Sequence, residues 1–307
     1  MRTTAIIFNK AWELEPALAA MCSPEFRPAN LPFPSSLLPL KDRRPSSVYS
    51  STDPRAVFSF HEKGDSSLPV TYEVRIWCIQ DLMDKNINSS DSCEKYRVLP
   101  PVLTGYKPDL VIAVGTAGSP LPGPIAGCVV AGPRFFLHDG HPGNTSHLDR
   151  TDYETLLPAN VNPELLNLIS PSFKQLTEPK FIPPPNNPCL RPAFLASNYY
   201  TAVSSFNVLD YGEYAWVDSD AAAAFRKIEP NLPIGSIDTT QTIIRVSSEA
   251  PCCFVSAITD VEGRFDMEVT NPQNYICSFN AGLVLGQFLV SINDLLQQKP
   301  GYSFRIN

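Results

Sequence analysis

Residues 111–120 read VIAVGTAGSP, and this stretch decides how the rest of the chain is organised. An apolar run without alternation is the pattern of a central strand buried on both faces. It ends in Gly115, Thr116, Ala117 and Gly118. Glycines there let another group approach the backbone, because no Cβ stands in the way. In open α/β sheets ligands bind at the carboxyl ends of the strands. The pattern therefore predicts a tight turn at 115–118 after a buried strand, with a ligand beside it. A purely structural turn has the same sequence, so other residues must point to the same place.

Outward from this strand, similar runs lie at 3–8 (TTAIIF), 56–62 (AVFSFHE), 70–79 (VTYEVRIWCI), 127–132 (GCVVAG), 192–197 (PAFLAS) and 252–258 (CCFVSAI). Helical patterns lie at 11–21 (AWELEPALAAM), 220–228 (DAAAAFRKI) and 275–298. The last carries Ile276, Phe279, Leu283 and Val290 on one stripe and stops before Pro300-Gly301. Strands separated by helices and long connections predict a three-layer α/β/α sandwich with a mixed central sheet. Proline lacks the donor that both helix and sheet ladders need. The chain has 31 prolines, crowded near 23–55 and 158–192, and these stretches read as surface insertions in one domain spanning 1–307.

Composition narrows the function. The 307 residues are 43% hydrophobic and 18% charged, a globular balance, with a net charge of −7. The longest basic cluster is the short KDRR at 41–44, which argues against a nucleic acid polymer as partner. The apolar run at 5–8 is too short for a signal peptide, and no uninterrupted apolar stretch reaches 18 residues. A cytoplasmic protein with a small-molecule substrate and no membrane partner is expected. The eight cysteines form no CxxC pair, and Cys252-Cys253 sits in an apolar run that favours strand packing. His138, Asp139, His141 and His147 follow no standard zinc spacing and read as a polar loop, so neither a metal nor a cofactor is expected. No G-x-S-x-G elbow or Walker loop occurs.

Three acids stand just after apolar runs: Glu15 in IIFNKAWELEP, Asp238 in IGSIDTTQTIIRV and Asp260 in FVSAITDVEG. A carboxylate at a helix start is often a cap or a dipole partner. Three of them at strand exits, beside a Gly-Thr-Ala-Gly segment, suggest a site.

In these stretches the chain resembles the purine nucleoside phosphorylase/uridine phosphorylase superfamily, especially its methylthioadenosine/S-adenosylhomocysteine nucleosidase branch. TAIIFNKAWELEPAL is similar to that branch's first strand and "AMxxE" turn, with two residues inserted. KPDLVIAVGTAGSP is similar to its "PDLVINxGxAGG" segment. PIGSIDTTQTIIRV and CCFVSAITD are similar to "VxMExxAxAxV" and "FxxxRxISD", in the same order. The resemblance implies hydrolysis of an N-glycosidic bond and a homodimer. By it, Asp260 gives a proton to purine N7, and a buried carboxyl is suited to that task. Glu15 serves as the base for water, and Asp238 binds the ribose hydroxyls by charge-assisted hydrogen bonds. Residues 115–118 pass close to the ribose. Tyr200, with Tyr199 as the alternative, stacks on the base from the segment FLASNYYTAV.

The chain also departs from the pattern. Asp238 is a methylene shorter than the family's glutamate, Ser256 stands for its arginine, and Thr259 for the serine before the last aspartate. Phosphorylases of the superfamily carry arginines near the glycine segment and after the first strand, where this chain offers Lys10. A phosphate dianion without arginine clamps is poorly held, so hydrolysis is expected over phosphorolysis. Two further readings remain open: a nucleoside-binding or storage protein without catalysis, and a specialised-metabolism enzyme acting on a non-nucleoside ligand.

Overall fold

A computed structural model describes residues 1–38, 52–121, 123–138, 147–149, 169–176, 192–206, 214–262 and 271–304. Much of both proline-rich stretches, and Asp139 and His141, lie outside these residues. The strands are β1 (Arg2–Phe8), β2 (Ser36–Leu37), β3 (Ala56–His61), β4 (Val70–Cys78), β5 (Leu110–Ser119), β6 (Val129–Gly132), β7 (Arg134–His138), β8 (His147–Asp149), β9 (Phe194–Ala196), β10 (Thr201–Ser205), β11 (Ile234–Asp238) and β12 (Cys252–Val261). The α-helices are α1 (Ala11–Cys22), α2 (Ile79–Leu82), α3 (Ser92–Tyr106), α4 (Tyr214–Ile228), α5 (Gln241–Val246) and α6 (Asn271–Gln298).

All twelve strands join one mixed sheet in the order β2-β3-β4-β1-β5-β11-β10-β7-β8, from which β12, β6 and β9 branch at β5. Because side chains alternate across a strand, each strand feeds two cores. On one face Ile6, Phe8 and Ile112 pack with Leu14 and Leu18 of α1 and with Leu285 and Phe288 of α6. On the other, Ile7, Val111 and Ala113 pack with Leu99 and Leu103 of α3 and Ile243 of α5. Phe136, Val203 and Phe225 tie α4 to the neighbouring part of the sheet. This is the expected mixed sheet flanked by helices. Helix α6 is long and apolar enough to cross a membrane, but 83% of its most apolar window is buried inside the protein, as a core helix.

One expectation is corrected. Residues 115–118 form no turn, because β5 continues through them as strand to Ser119. Up to Val114 it pairs in parallel with β1, and at Gly118 it pairs with Ile237 of β11. On its other side β12 accompanies it throughout, from Cys252↔Val111 to Val261↔Ser119. The glycines thus stand where the strand exchanges one neighbour for another while enclosed by a third. Missing side chains there leave room beside the backbone, as the sequence suggested, but the continuous β12 ladder on one side and the β11 pairing at Gly118 keep it extended.

Candidate functional site

The sheet delivers its chemistry at the C-terminal ends of β1, β5, β10, β11 and β12. The first group comes from α1, which starts three residues after β1. The connection is fixed by the Gln80 amide donating to the Asn9 carbonyl at 3.0 Å and by the Ala11 amide donating to Gln80 Oε1 at 3.2 Å. Glu13, 3% exposed, then reaches across to β5. Its Oε1 accepts from the Thr116 amide and from the Thr116 hydroxyl, both at 2.9 Å. Its Oε2 accepts from the Lys10 amide at 2.8 Å, which also caps the helix start. A Cβ on Gly115 would stand 3.4 Å from Glu13 Oε1, an ordinary van der Waals contact, so the carboxylate packs directly against this glycine.

Glu15, which the resemblance names as the base, stands apart from this contact. Two residues along a helix is a rotation of about 200°, so Glu13 and Glu15 face different ways. It is Glu13 that the fold turns to β5, and Glu15 is half-buried on another side of α1. The AWELE stretch offered both acids, and a motif match at the end of an insertion could not choose between them.

Asp260 approaches from the other side of β5. The β12–β5 register shifts between Ile258 and Asp260, leaving Thr259 as a bulge. Bulges of this kind re-aim a side chain. Gln273 of α6 donates to the Thr259 carbonyl and fixes the bulge from outside the sheet. Asp260 is 1% exposed, its Oδ1 accepts from the Thr259 hydroxyl at 2.7 Å, and its Oδ2 lies 3.6 Å from where a Gly118 Cβ would be. Glu13 and Asp260 are therefore two buried carboxyls, one beside Gly115 and Thr116 and the other beside Gly118. Ala117, between Thr116 and Gly118 in sequence, is buried.

Asp238 ends β11. Its carboxylate accepts from the Ser204 hydroxyl, from the Thr240 amide at 3.2 Å and from the Gln241 amide at 3.1 Å. Burial raises its pKa to about 6, against the lowering effect of those donors and of Lys95. Ser256, at the position of the family's arginine, is buried and takes part in a hydrogen bond with Gln241 at 2.8 Å.

Sequence reasoning missed Lys95. It is completely buried in the first turn of α3, and its Nζ donates to Thr240 Oγ1 at 2.8 Å and to the Thr239 carbonyl at 3.3 Å. Burial above all, and then Lys10, depress its pKa to about 7, while Asp238, Glu13 and Asp91 pull it upward. Lys10 is therefore not the sole cation at this end of the sheet. Nothing in SCEKYRVLPP marks Lys95 as buried, because two prolines conceal the helix that carries it.

The tyrosines are placed elsewhere. Tyr199 is 62% exposed. Tyr200 precedes β10 and lies against Gly235, whereas the β10–β11 register sets Ser204 opposite Asp238 at the far end. Four residues of strand, about 13 Å, separate Tyr200 from Ser204. At the Ser204 end stands Phe206, half-buried, whose amide donates to the His138 carbonyl at 2.6 Å. It directly follows the VSS end of β10, and that position was the available signal. A groove of about 700 Å³ between Arg2, Tyr96, Lys107, Asp109, Val246 and Phe304 opens where the strands begin, at the opposite end of the sheet, and contains none of these groups. Among the described residues no group of three or more histidine, cysteine, aspartate or glutamate side chains is arranged to hold a metal ion.

Comparison with known proteins gives the fold and stops there. No protein-family model matches the chain, and no curated protein matches it. Among solved structures, an MTA/SAH nucleosidase superposes with a TM-score of 0.53 at 13% identity, covering 99% of this chain and 98% of that one. The 5′-methylthioadenosine nucleosidase of Arabidopsis thaliana gives 0.51 at 12% identity, with 99% and 98% covered. The MTA/SAH nucleosidase of Colwellia psychrerythraea 34H, solved with adenine, gives 0.52 at 13% identity, with 94% and 95% covered. The chain therefore has the nucleoside phosphorylase/nucleosidase fold.

Proposed function

From that fold we propose that the protein is a nucleosidase, hydrolysing the N-glycosidic bond of a purine nucleoside or thionucleoside. The observation that carries this reading is the pair of buried carboxyls, Glu13 and Asp260, held along residues 115–118 of one strand. Breaking the C1′–N9 bond leaves oxocarbenium character on the sugar and negative charge on the base. Asp260 supplies a proton to the purine N7 as the bond electrons move onto the base. Water adds to C1′ and gives its proton to Glu13. General acid–base steps of this kind contribute about 10²–10⁴-fold each. Three donors occupy Glu13, so of about four lone-pair directions on a carboxylate one remains for that water.

Hydrolysis is favoured over phosphorolysis because, among the described residues at this end, Lys10 and Lys95 are point charges without a bidentate fork, and Arg226 is committed to Glu262 through two hydrogen bonds. Arg55, which lies nearby, is fully buried and committed to Asp81 through two hydrogen bonds. The reading is tested by incubating the protein with a panel of purine nucleosides and thionucleosides, with and without phosphate. Free base together with free sugar is expected in both conditions. Sugar 1-phosphate in place of free sugar would overturn hydrolysis, and absence of free base across the panel would overturn the nucleosidase. A second reading, nucleoside binding without turnover, draws on the commitment of Asp238 to its own loop, and saturable binding with no base release would decide for it.

A further inference from the structure

The feature least expected of a nucleoside site is Asp238. A carboxylate that recognises a vicinal diol needs two acceptor directions open to the ligand, one for each hydroxyl. Here the two oxygens have about four directions between them, and the chain itself uses three or more. Oδ1 takes the Ser204 hydroxyl and the Thr240 amide, and the Gln241 amide is shared between Oδ1 at 3.3 Å and Oδ2 at 3.1 Å. These donors are not free to withdraw. Ser204 Oγ accepts in turn from the Thr242 amide at 3.0 Å, so it is pinned between β10 and α5. Thr240 is held through its hydroxyl by Lys95 at 2.8 Å. Asp238 is 8% exposed, and a side chain one methylene shorter than glutamate reaches no further from the end of β11.

We propose that Asp238 is not a ribose-diol clamp but the lock of the 238–242 loop, and that the site takes 2′-deoxy and ribo forms of its nucleoside substrate alike. The inference rests on the nucleosidase reading above and specifies its substrate class. At most one direction, on Oδ2, is open to a sugar hydroxyl. A site built to hydrogen-bond a substrate hydroxyl rejects the analogue lacking it by about 10⁴–10⁵-fold, because its own buried groups are then left unpaired. At Asp238 the chain has already paired those groups, so removing the 2′-hydroxyl leaves nothing newly unsatisfied.

The experiment compares kcat/KM for adenosine with 2′-deoxyadenosine, and for inosine with 2′-deoxyinosine, by release of free base from the full-length protein. Within each pair that is cleaved, the two values are expected to agree to within about tenfold, far below the selectivity of a true hydroxyl-binding site. A preference for the ribo form beyond that overturns the inference while leaving the nucleosidase reading intact. If neither nucleoside of either pair is cleaved, and calorimetry shows no binding, the nucleosidase reading fails and takes the inference with it. Asp238→Asn supplies an independent readout. A locking residue changes both members of a pair by the same factor, whereas a hydroxyl-binding residue changes the ribo member selectively. Thermal unfolding confirms that the variant is folded, and the wild-type comparison stands without it.

Discussion

The carboxylate of Glu13 and the backbone and side chain of Thr116 are joined by two hydrogen bonds of 2.9 Å, across the gap between α1 and β5. The contact spans more than a hundred residues of sequence and sets the carboxylate directly against Gly115. It gives the active-site assignment its sharpest test. Glu13→Gln is expected to lower kcat by about a hundredfold or more, since an amide cannot take a proton from water. Glu15→Gln should change kcat by less than about threefold, as expected of a half-buried acid on another side of α1 that does not reach β5. Steady-state base release from both variants checks this, and equal losses would remove Glu13 from its special role. Glu13→Gln also costs about 1 kcal/mol of stability through the Lys10 amide that it caps, to be read from urea unfolding.

Glu13 is held in place by the packing of α1 on α6, and a second pair of variants probes that seam. A Cβ added to Gly282 would collide with the Ala17 carbonyl and come within 2.6 Å of the Ala17 Cα. Backbone cannot yield as a flexible side chain does. Gly282→Ala is therefore expected to destabilise the protein by about 1–3 kcal/mol, the usual cost of overpacking. Gly286→Ala, one turn on, meets only the Leu31 and Pro28 side chains at 3.4–3.5 Å. That substitution is expected to be neutral or stabilising by up to about 1 kcal/mol from helix propensity. Denaturant midpoints of the two variants that move together would refute the close approach of α1 and α6.

The sheet was legible where strands are buried on both faces. DLVIAVG and CCFVSAI are apolar without interruption because neighbours cover both sides, and each forms a strand. Helix α3 was hidden by Pro100-Pro101, and β10 and β11 by short runs containing serine and glycine whose burial comes from tertiary packing. The strand character of 115–118 was hidden for another reason. Glycine reads locally as a turn, but here the β12 ladder, joined by β11 at Gly118, holds it extended. In the site, Asp260 was readable as the acid ending an apolar run. Choosing between Glu13 and Glu15, or between Tyr200 and Phe206, required knowing which side of α1 and which end of β10 faces β5, and that is set by contacts distant in sequence.

Lys95 makes the stability depend on pH in a definite direction. Its pKa is about 10.5 in the unfolded chain and about 7 in the folded one, because burial first of all, and Lys10 after it, disfavour the charge. Between those values the unfolded state holds a proton that the folded state has released. The stability associated with the neutral amine is complete above pH 10.5 and is lost as pH falls toward 7, below which both states are protonated and the effect levels off. The loss amounts to a few kcal/mol. Asp238 acts in a lower window and the opposite direction: its raised pKa makes stability fall as pH rises from about 3.8 to about 6. In Lys95→Met the slope between pH 7 and 10 should be absent. The measurement is urea unfolding of both proteins across that range, and parallel curves would show that the Lys95 amine keeps its proton in the folded protein.

Under the proposed nucleosidase reading, Asp260 supplies the proton that the departing base receives. It ends the apolar strand β12 at a bulge, is 1% exposed, and receives the Thr259 hydroxyl at 2.7 Å. Asp260→Asn preserves the shape and the acceptor oxygen facing Thr259, and it places an amide where the second carboxyl oxygen stood. The amide can donate a hydrogen bond but has no acidic proton to surrender to a departing base. General acid catalysis contributes about 10²–10⁴-fold, so kcat should fall by at least about a hundredfold. Ligand affinity measured by calorimetry should change little, and the thermal midpoint should stay close to wild type, since the substitution is isosteric and its hydrogen bond survives. The combination distinguishes the roles. A variant that unfolds would make Asp260 a structural residue of the bulge, and a folded variant with normal turnover would exclude it as the proton donor.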